Sequence, residues 1–109
     1  MDSGIRRAVL TEATFRRANE GIRRAAGEHA IDGLVPFICE CSDERCTQVV
    51  QLTVHEYARI REQPTWFLVV PGHEDDVLAG TARVAVRHEA YSVIERLGES
   101  ARLLAELDF

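Results

Sequence analysis

Three cysteines lie within eight residues of this chain, and they are the residues with the clearest chemical signal. One residue separates Cys39 from Cys41, and Cys46 follows five residues later. A histidine, His73, lies in a Pro-Gly-His-Glu turn that spans residues 71–74. Three thiolates and one imidazole form a donor set that binds zinc with tetrahedral geometry. The sequence therefore predicts a metal site made of Cys39, Cys41, Cys46 and His73.

The spacing of the cysteines suits a hairpin that ends in the metal loop. Alternate residues of a strand point to the same side, so Cys39 and Cys41 can face one ion while Glu40 points away. The run Ser42-Asp43-Glu44 supplies turn residues that let Cys46 fold back. With an imidazole as fourth ligand, no position is left for a catalytic water. We therefore expect a structural zinc ion.

Other interpretations of these residues stay open at this point. The thiols can instead be unligated, or can take part in redox or iron chemistry. His73 can be a turn histidine that bonds a carbonyl group. His29, His55 and His88 are possible replacements for it, although each is expected to face solvent.

The first half of the chain predicts two helices and a hairpin. The first helix is expected from an N-cap at Thr11 to about Glu28. Two β-prone runs, residues 34–38 and 49–52, flank the cysteines. The second helix has a capping box of Thr53 and Glu56, with Leu52 and Tyr57 as a hydrophobic staple, and should end near Gln63 because Pro64 follows.

The second half predicts three strands and a short helix. A buried strand at residues 66–70 carries His73 to the turn at its end. After an acidic loop at residues 74–76, the segments 82–87 and 91–95 should pair as a hairpin. The last helix is expected from Glu99 to about Leu107, with Ala101, Leu104 and Leu107 toward the core. The fold class is α+β, with a small, mostly antiparallel sheet and about three helices in one domain, residues 1–109.

The first helix predicts one apolar face and one charged face. The apolar face follows helical spacing and contains Phe15, Ala18, Ile22, Ala25 and Ala26. The charged face carries four arginines, Arg16, Arg17, Arg23 and Arg24. Three glutamates, Glu12, Glu20 and Glu28, lie four residues from arginines and can pair with them. This face is either a salt-bridged solvated surface or a surface for a partner or a nucleic acid.

Composition limits the possible classes of protein. The chain has 109 residues, a net charge of -5 and 46% hydrophobic residues, so no overall positive field attracts a polyanion. All 13 basic residues are arginine, which is typical of coding bias in high-GC bacterial genomes. The chain lacks an apolar run of roughly 20 residues and a signal-peptide core at its start. We therefore expect a cytoplasmic protein whose thiols are reduced.

The histidines, cysteines and serines of the chain do not complete any of three known enzyme motifs. His55-Glu56 begins like the zincin motif His-Glu-x-x-His, but Arg59 occupies the position of the second histidine. A nucleobase deaminase requires Pro-Cys-x-x-Cys, which this chain lacks. None of its serines lies in a Gly-x-Ser-x-Gly turn. A non-enzymatic role is therefore favoured over an enzymatic one.

Several segments together resemble a group of small uncharacterised proteins from high-GC bacteria. The resemblance rests on the Cys-Glu-Cys-x-x-x-x-Cys loop at residues 39–46, on Leu52-Thr53 with Glu56-Tyr57, and on the Pro-Gly-His-Glu turn. It extends from Phe15 to Glu95. It implies a compact bacterial module in which the three cysteines and His73 belong together, and it implies no activity.

The sequence as a whole predicts a small zinc-binding protein that acts as an interaction or regulatory module. Its partner is expected to be another protein. Two alternatives are a nucleic-acid-binding regulator, which would use the four arginines of the first helix, and a redox-responsive or metal-responsive thiol sensor.

Overall fold

The computed structural model describes residues 2–74 and 80–107. Within them it contains three helices and two small antiparallel sheets, which confirms the α+β class. The acidic loop expected at residues 74–76 lies beyond the described residues from position 75 onward. The elements in chain order are α1 (Ser3–Glu28), β1 (Val35–Ile38), β2 (Val49–Leu52), α2 (Val54–Arg61), β3 (Trp66–Val69), β4 (Ala82–Arg87), β5 (Ser92–Arg96) and α3 (Gly98–Leu107).

Helix α1 is longer than the sequence predicted, because its cap is Asp2 and not Thr11. The Asp2 carboxylate accepts hydrogen bonds from the backbone N–H groups of Gly4 (2.7 Å) and Ile5 (3.2 Å). These bonds satisfy donors that every helix start leaves open. Thr11 lies inside the helix. The predicted end at Glu28 is confirmed.

The predicted apolar face of α1 was partly wrong. Ala18 and Ala25 are exposed, and Phe15 and Ile22 are only half-buried. Three of the buried positions carry polar side chains that find partners inside the fold, which hydrophobic periodicity does not weigh. The buried residues of α1 are Val9, Glu12, Ala13, Arg16, Asn19 and Ala26.

Glu12 shows why a polar residue occupies the buried face. Its carboxylate accepts two hydrogen bonds from the Arg96 guanidinium in β5, at 2.8 and 2.6 Å, and both side chains are almost completely buried. The sequence predicted that Glu12 could pair with an arginine four residues away, and this spacing did not indicate Arg96 as its partner. Glu20 pairs with Arg23, three residues away, at 2.8 Å.

Strands β1 and β2 form the predicted antiparallel hairpin. Val35 pairs with Leu52 at its open end, and Ile38 pairs with Val49 next to the tip. The cysteines lie in this tip, residues 39–48. Helix α2 follows directly, and its capping box of Thr53 and Glu56 is confirmed. It ends at Arg61, close to the predicted position.

The second sheet has the strand order β3-β5-β4, with antiparallel neighbours. The predicted hairpin of its last two strands is confirmed. The Glu40 N–H donates to the Leu68 carbonyl at 2.6 Å, so the cysteine segment bonds to β3 of this sheet. This bond connects the cysteine-bearing hairpin tip to the larger sheet.

Helix α3 packs near α1. Leu104 is buried as predicted, whereas Ala101 is half-buried and Leu103, which was not predicted, is buried. Leu107 is partly buried against the same cluster. That cluster contains Cys39 and Cys41 together with Phe67 and Ile94. Cys39 and Cys41 therefore belong to the hydrophobic core, whereas Cys46 is half-buried at its edge. None of the helices in the described ranges has both the length and the apolar character needed to cross a membrane.

Candidate metal centre

The fold brings the four predicted ligands together. One Sγ atom from each of Cys39, Cys41 and Cys46 and one ring nitrogen of His73 all lie within 4.8 Å of one another. The His73 Nδ1 atom is 3.5 Å from Cys39 Sγ and 3.7 Å from Cys46 Sγ. Bond lengths of about 2.3 Å for zinc to sulfur and about 2.0 Å for zinc to nitrogen give a tetrahedral S···N edge of about 3.5 Å. The two S···N distances match that edge, whereas the limit of 4.8 Å for the whole group is wider than a tetrahedral S···S edge of about 3.8 Å.

Two segments of the chain supply the ligands, and Val70 connects them through its backbone. The Val70 N–H donates to Cys39 Sγ at 3.3 Å. The Val70 carbonyl accepts from the His73 N–H at 2.9 Å. Val70, the residue that follows β3, thus orients one sulfur and starts the turn that carries the histidine.

The third thiol is held by a turn built on Asp43. The Asp43 carbonyl accepts a hydrogen bond from the Cys46 N–H at 3.0 Å, and the Asp43 carboxylate accepts one from the Arg45 N–H at 2.9 Å. This is the turn predicted from the residue types at 42–44. It reverses the chain and returns Cys46 toward the other sulfurs.

Burial differs among the four side chains. Cys39 is 0% exposed and Cys41 is 4% exposed, while Cys46 and His73 are half-buried. The core therefore closes one side of the group, and the other side faces the surface. An ion can reach the group from that surface.

The thiols affect one another's protonation. The Cys39 thiol hydrogen-bonds to the Cys41 sulfur, which lowers the pKa of Cys41 to about 5. The pKa of Cys39 is raised by that same bond and by burial, and burial also raises the pKa of Cys46. A metal ion that takes three thiolates must displace protons when it binds.

No protein-family model, curated protein or solved structure matches this chain. The four-ligand geometry therefore carries the functional argument. His29, His55 and His88 are exposed. Among the residues that the structure describes, the group of potential metal ligands contains His73 and none of these three.

Sequence reasoning missed the role of Glu40, the residue between the first two cysteines. Its side chain is completely buried. Its carboxylate accepts hydrogen bonds from Asn19 Nδ2 (2.9 Å), the Tyr57 hydroxyl (2.5 Å) and the Leu68 N–H (2.8 Å). As the alternation of a strand predicted, the carboxylate does not belong to the sulfur group. The sequence did contain one signal of this role: an acidic residue lies in a segment that otherwise faces the core, and a buried glutamate requires partners.

Tyr57 and Asn19 complete this polar network. The Asn19 side chain also donates to the Ile38 carbonyl at 2.7 Å and accepts from the Ile38 N–H at 2.8 Å. Burial raises the pKa of Tyr57, and the nearby Glu40 charge raises it further, so the hydroxyl remains a donor. We call Asn19, Glu40, Tyr57 and Arg61 the Glu40 network.

Arg61 belongs to the Glu40 network, and Arg16 lies next to it. Arg61 is 3.8 Å from the Glu40 carboxylate, and Arg16 donates to the Pro64 carbonyl at 2.6 Å. Both guanidiniums lie over the Phe67 ring, at 4.8 Å for Arg16 and 5.8 Å for Arg61. The prediction that Arg16 belongs to a solvated face was wrong, because Arg16 is 9% exposed.

Proposed function

We propose that Cys39, Cys41, Cys46 and His73 hold one structural zinc ion, and that the protein is a non-enzymatic interaction or regulatory module. The observation that carries this proposal is the compact set of three sulfurs and one ring nitrogen, with S···N distances near a tetrahedral edge. Thiolate and imidazole donors favour zinc over magnesium and calcium, which prefer oxygen.

A structural role follows from the number of ligands. Three cysteines and a histidine fill four tetrahedral positions, whereas a catalytic zinc keeps one position for water or substrate. The ion would join the tip of the β1–β2 hairpin to the turn after β3. It would thereby connect the two sheets, and residues 1–109 would behave as one zinc-stapled domain.

The deciding experiment measures zinc per chain in the untagged parent protein and in two histidine variants. We expect close to one zinc in the parent, little in His73→Ala, and an unchanged content in His55→Ala. His55 is the matched control because it is exposed and lies outside the ligand group. Zinc retained in His73→Ala would indicate an open site of three thiolates, and no zinc in the parent would refute the proposal.

A thiol sensor is the second candidate, because the three sulfurs are close and Cys46 is half-buried. Hydrogen peroxide would oxidise one thiol to a sulfenic acid with release of water. A neighbouring thiol would then form a disulfide with release of a second water. Peroxide-dependent zinc release that a dithiol reverses would favour this candidate, and unaltered zinc content after peroxide would exclude it.

A further inference from the structure

A basic groove runs between α1 and α2, on residues that take no part in the proposed metal centre. Two glutamates, Glu20 and Glu62, also line it. The formal charge of the lining is therefore +3, although the chain carries -5. We call it the arginine groove, after its five arginines, Arg16, Arg17, Arg23, Arg24 and Arg61.

Arg61 presents an unusual donor in this groove. Its side chain is 8% exposed, and its Nη2 atom donates to the Trp66 carbonyl. Its Nε atom is buried and has no hydrogen-bond partner among the described residues. An unsatisfied buried donor costs about 1–3 kcal/mol, so native proteins rarely retain one without a ligand, an ion or a water to satisfy it.

The two most buried arginines of the groove also repel each other. Arg16 and Arg61 lie over the same Phe67 ring, and the pKa of Arg16 is lowered by burial and by the charge of Arg61. The Glu40 carboxylate, 3.8 Å from Arg61, offsets part of this repulsion. A bound anion would offset more of it and would also satisfy a donor. Both observations point to the same kind of ligand.

We propose that the arginine groove binds a phosphoryl group carried by a partner protein. A phosphoryl group brings up to two negative charges and three terminal oxygens, which suit several guanidinium groups at once. A carboxylate brings only one charge. This inference rests on the proposed role as an interaction module, and it adds the chemistry that the module would recognise.

Nucleic acid is a poorer occupant of the same groove. Single strands bind through a basic track combined with aromatic side chains on which the bases stack. None of the described lining residues is aromatic. The overall charge of -5 also opposes the approach of a polyanion. The groove is better suited to a single phosphoryl group than to a strand.

The first test titrates zinc-loaded protein with inorganic phosphate and follows the assigned Arg61 Nε–H resonance by NMR. We expect a saturable shift of that resonance with phosphate, and none with chloride at equal ionic strength. An equal response to both salts, or no response, would overturn the proposal. The resonance reports on the groove directly, so the result does not depend on knowing the natural partner.

A pair of variants locates the binding surface. Arg24→Gln removes an exposed charge from the groove, and Arg102→Gln removes an exposed charge from α3. We expect phosphate affinity to fall by about tenfold in Arg24→Gln, as for loss of one charge-assisted contact, and to stay unchanged in Arg102→Gln. Equal losses in both variants would indicate non-specific attraction and contradict the groove.

The last arm identifies the source of the phosphoryl group. A phosphoserine peptide should bind at least about tenfold more tightly than its unphosphorylated form, since recognition depends on the added charge. Tighter binding of a single-stranded oligonucleotide with a steep salt dependence would replace the proposal with nucleic-acid binding. Zinc content is measured in every sample. If the protein contains zinc but does not bind phosphate, only the proposal of phosphoryl binding in the arginine groove is refuted. If it contains no zinc, the proposed metal centre is refuted.

Discussion

The segment Cys39-Glu40-Cys41 has two sides that differ in how their polar atoms are satisfied. On one side, the sulfurs of Cys39 and Cys41 meet Cys46 and His73 in a group that can hold an ion. On the other side, the Glu40 carboxylate is bonded by side chains and backbone of the protein itself. The comparison teaches that the polar atoms of adjacent residues can find their partners in different places. The sulfur side can take an ion from solution, whereas the Glu40 carboxylate has its hydrogen-bond donors once the chain has folded.

The largest expected effect comes from removing the ion. Chelation of the zinc-loaded parent should lower the free energy of unfolding by about 4 kcal/mol or more, since a ligand present at a thousandfold excess over its dissociation constant contributes that much. Acidification to about pH 4 should release the zinc as well, because protons compete for the thiolates. Urea unfolding with and without chelator measures the first effect, and elemental analysis after dialysis measures the second. An unchanged unfolding midpoint would show that a metal at the sulfur side does not stabilise the fold.

The next largest effect should come from the carboxylate side. Glu40→Ala leaves the Tyr57 hydroxyl and the Leu68 N–H without their acceptor and removes the carboxylate 3.8 Å from Arg61, so we expect a loss of about 3 kcal/mol. Urea unfolding of zinc-loaded protein is the measurement. Glu106→Ala, an exposed change on α3, is the control and should have little effect. A loss below about 1 kcal/mol for Glu40→Ala would mean that water replaces the network.

A smaller effect is expected for one hydrogen bond of the Glu40 network. Tyr57→Phe removes the hydroxyl that donates to Glu40 and should cost about 1.5 kcal/mol, as for a bond to a charged acceptor. Because the folded-state pKa of Tyr57 is raised, its contribution is fully present below the unfolded pKa of about 10 and is lost as pH rises above it. The parent should therefore lose stability above about pH 10 more steeply than Tyr57→Phe. Equal slopes in a pH series of unfolding curves would contradict the raised pKa.

The smallest expected effect tests whether zinc binding at the sulfur side depends on the charge of the Glu40 carboxylate. Glu40→Gln keeps the shape of the side chain but removes its charge. We expect zinc affinity to fall by about tenfold, the low end of the roughly 10–100-fold range seen when outer partners of metal ligands are altered. Competition with a zinc-binding dye measures the affinity, and Glu44→Gln in the exposed part of the loop is the control. A loss far above tenfold would show that both sides form one unit.

Local signals predicted the sulfur side well. The hairpin, the capping box of α2 and the turn at Asp43 each depend on residues close in sequence, and all were predicted. The association of His73 with the cysteines was predicted from donor chemistry, because soft ligands are few in this chain. Whether these residues bind zinc stays a prediction.

Long-range polar contacts could not be predicted in the same way. Glu12 and Arg96 are 84 positions apart, and nothing in either local pattern indicates the other. Asn19 lies in a helix whose apolar residues predicted a different face. Polar residues that pair inside the fold violate hydrophobic periodicity, so the buried face of α1 and the Glu40 network became visible only in the folded chain.

The backbone of Val70 has a consequence for how freely this position can vary. Both of its contacts to the metal loop use main-chain atoms, the N–H toward Cys39 and the carbonyl toward His73. The side chain takes no part in either contact. Exchange of Val70 for Ile or Leu should therefore leave the ligand arrangement intact, whereas Val70→Pro removes the donor to sulfur. A designer who grafts this centre onto another scaffold should copy the backbone path at this position and can choose the side chain to suit the new core.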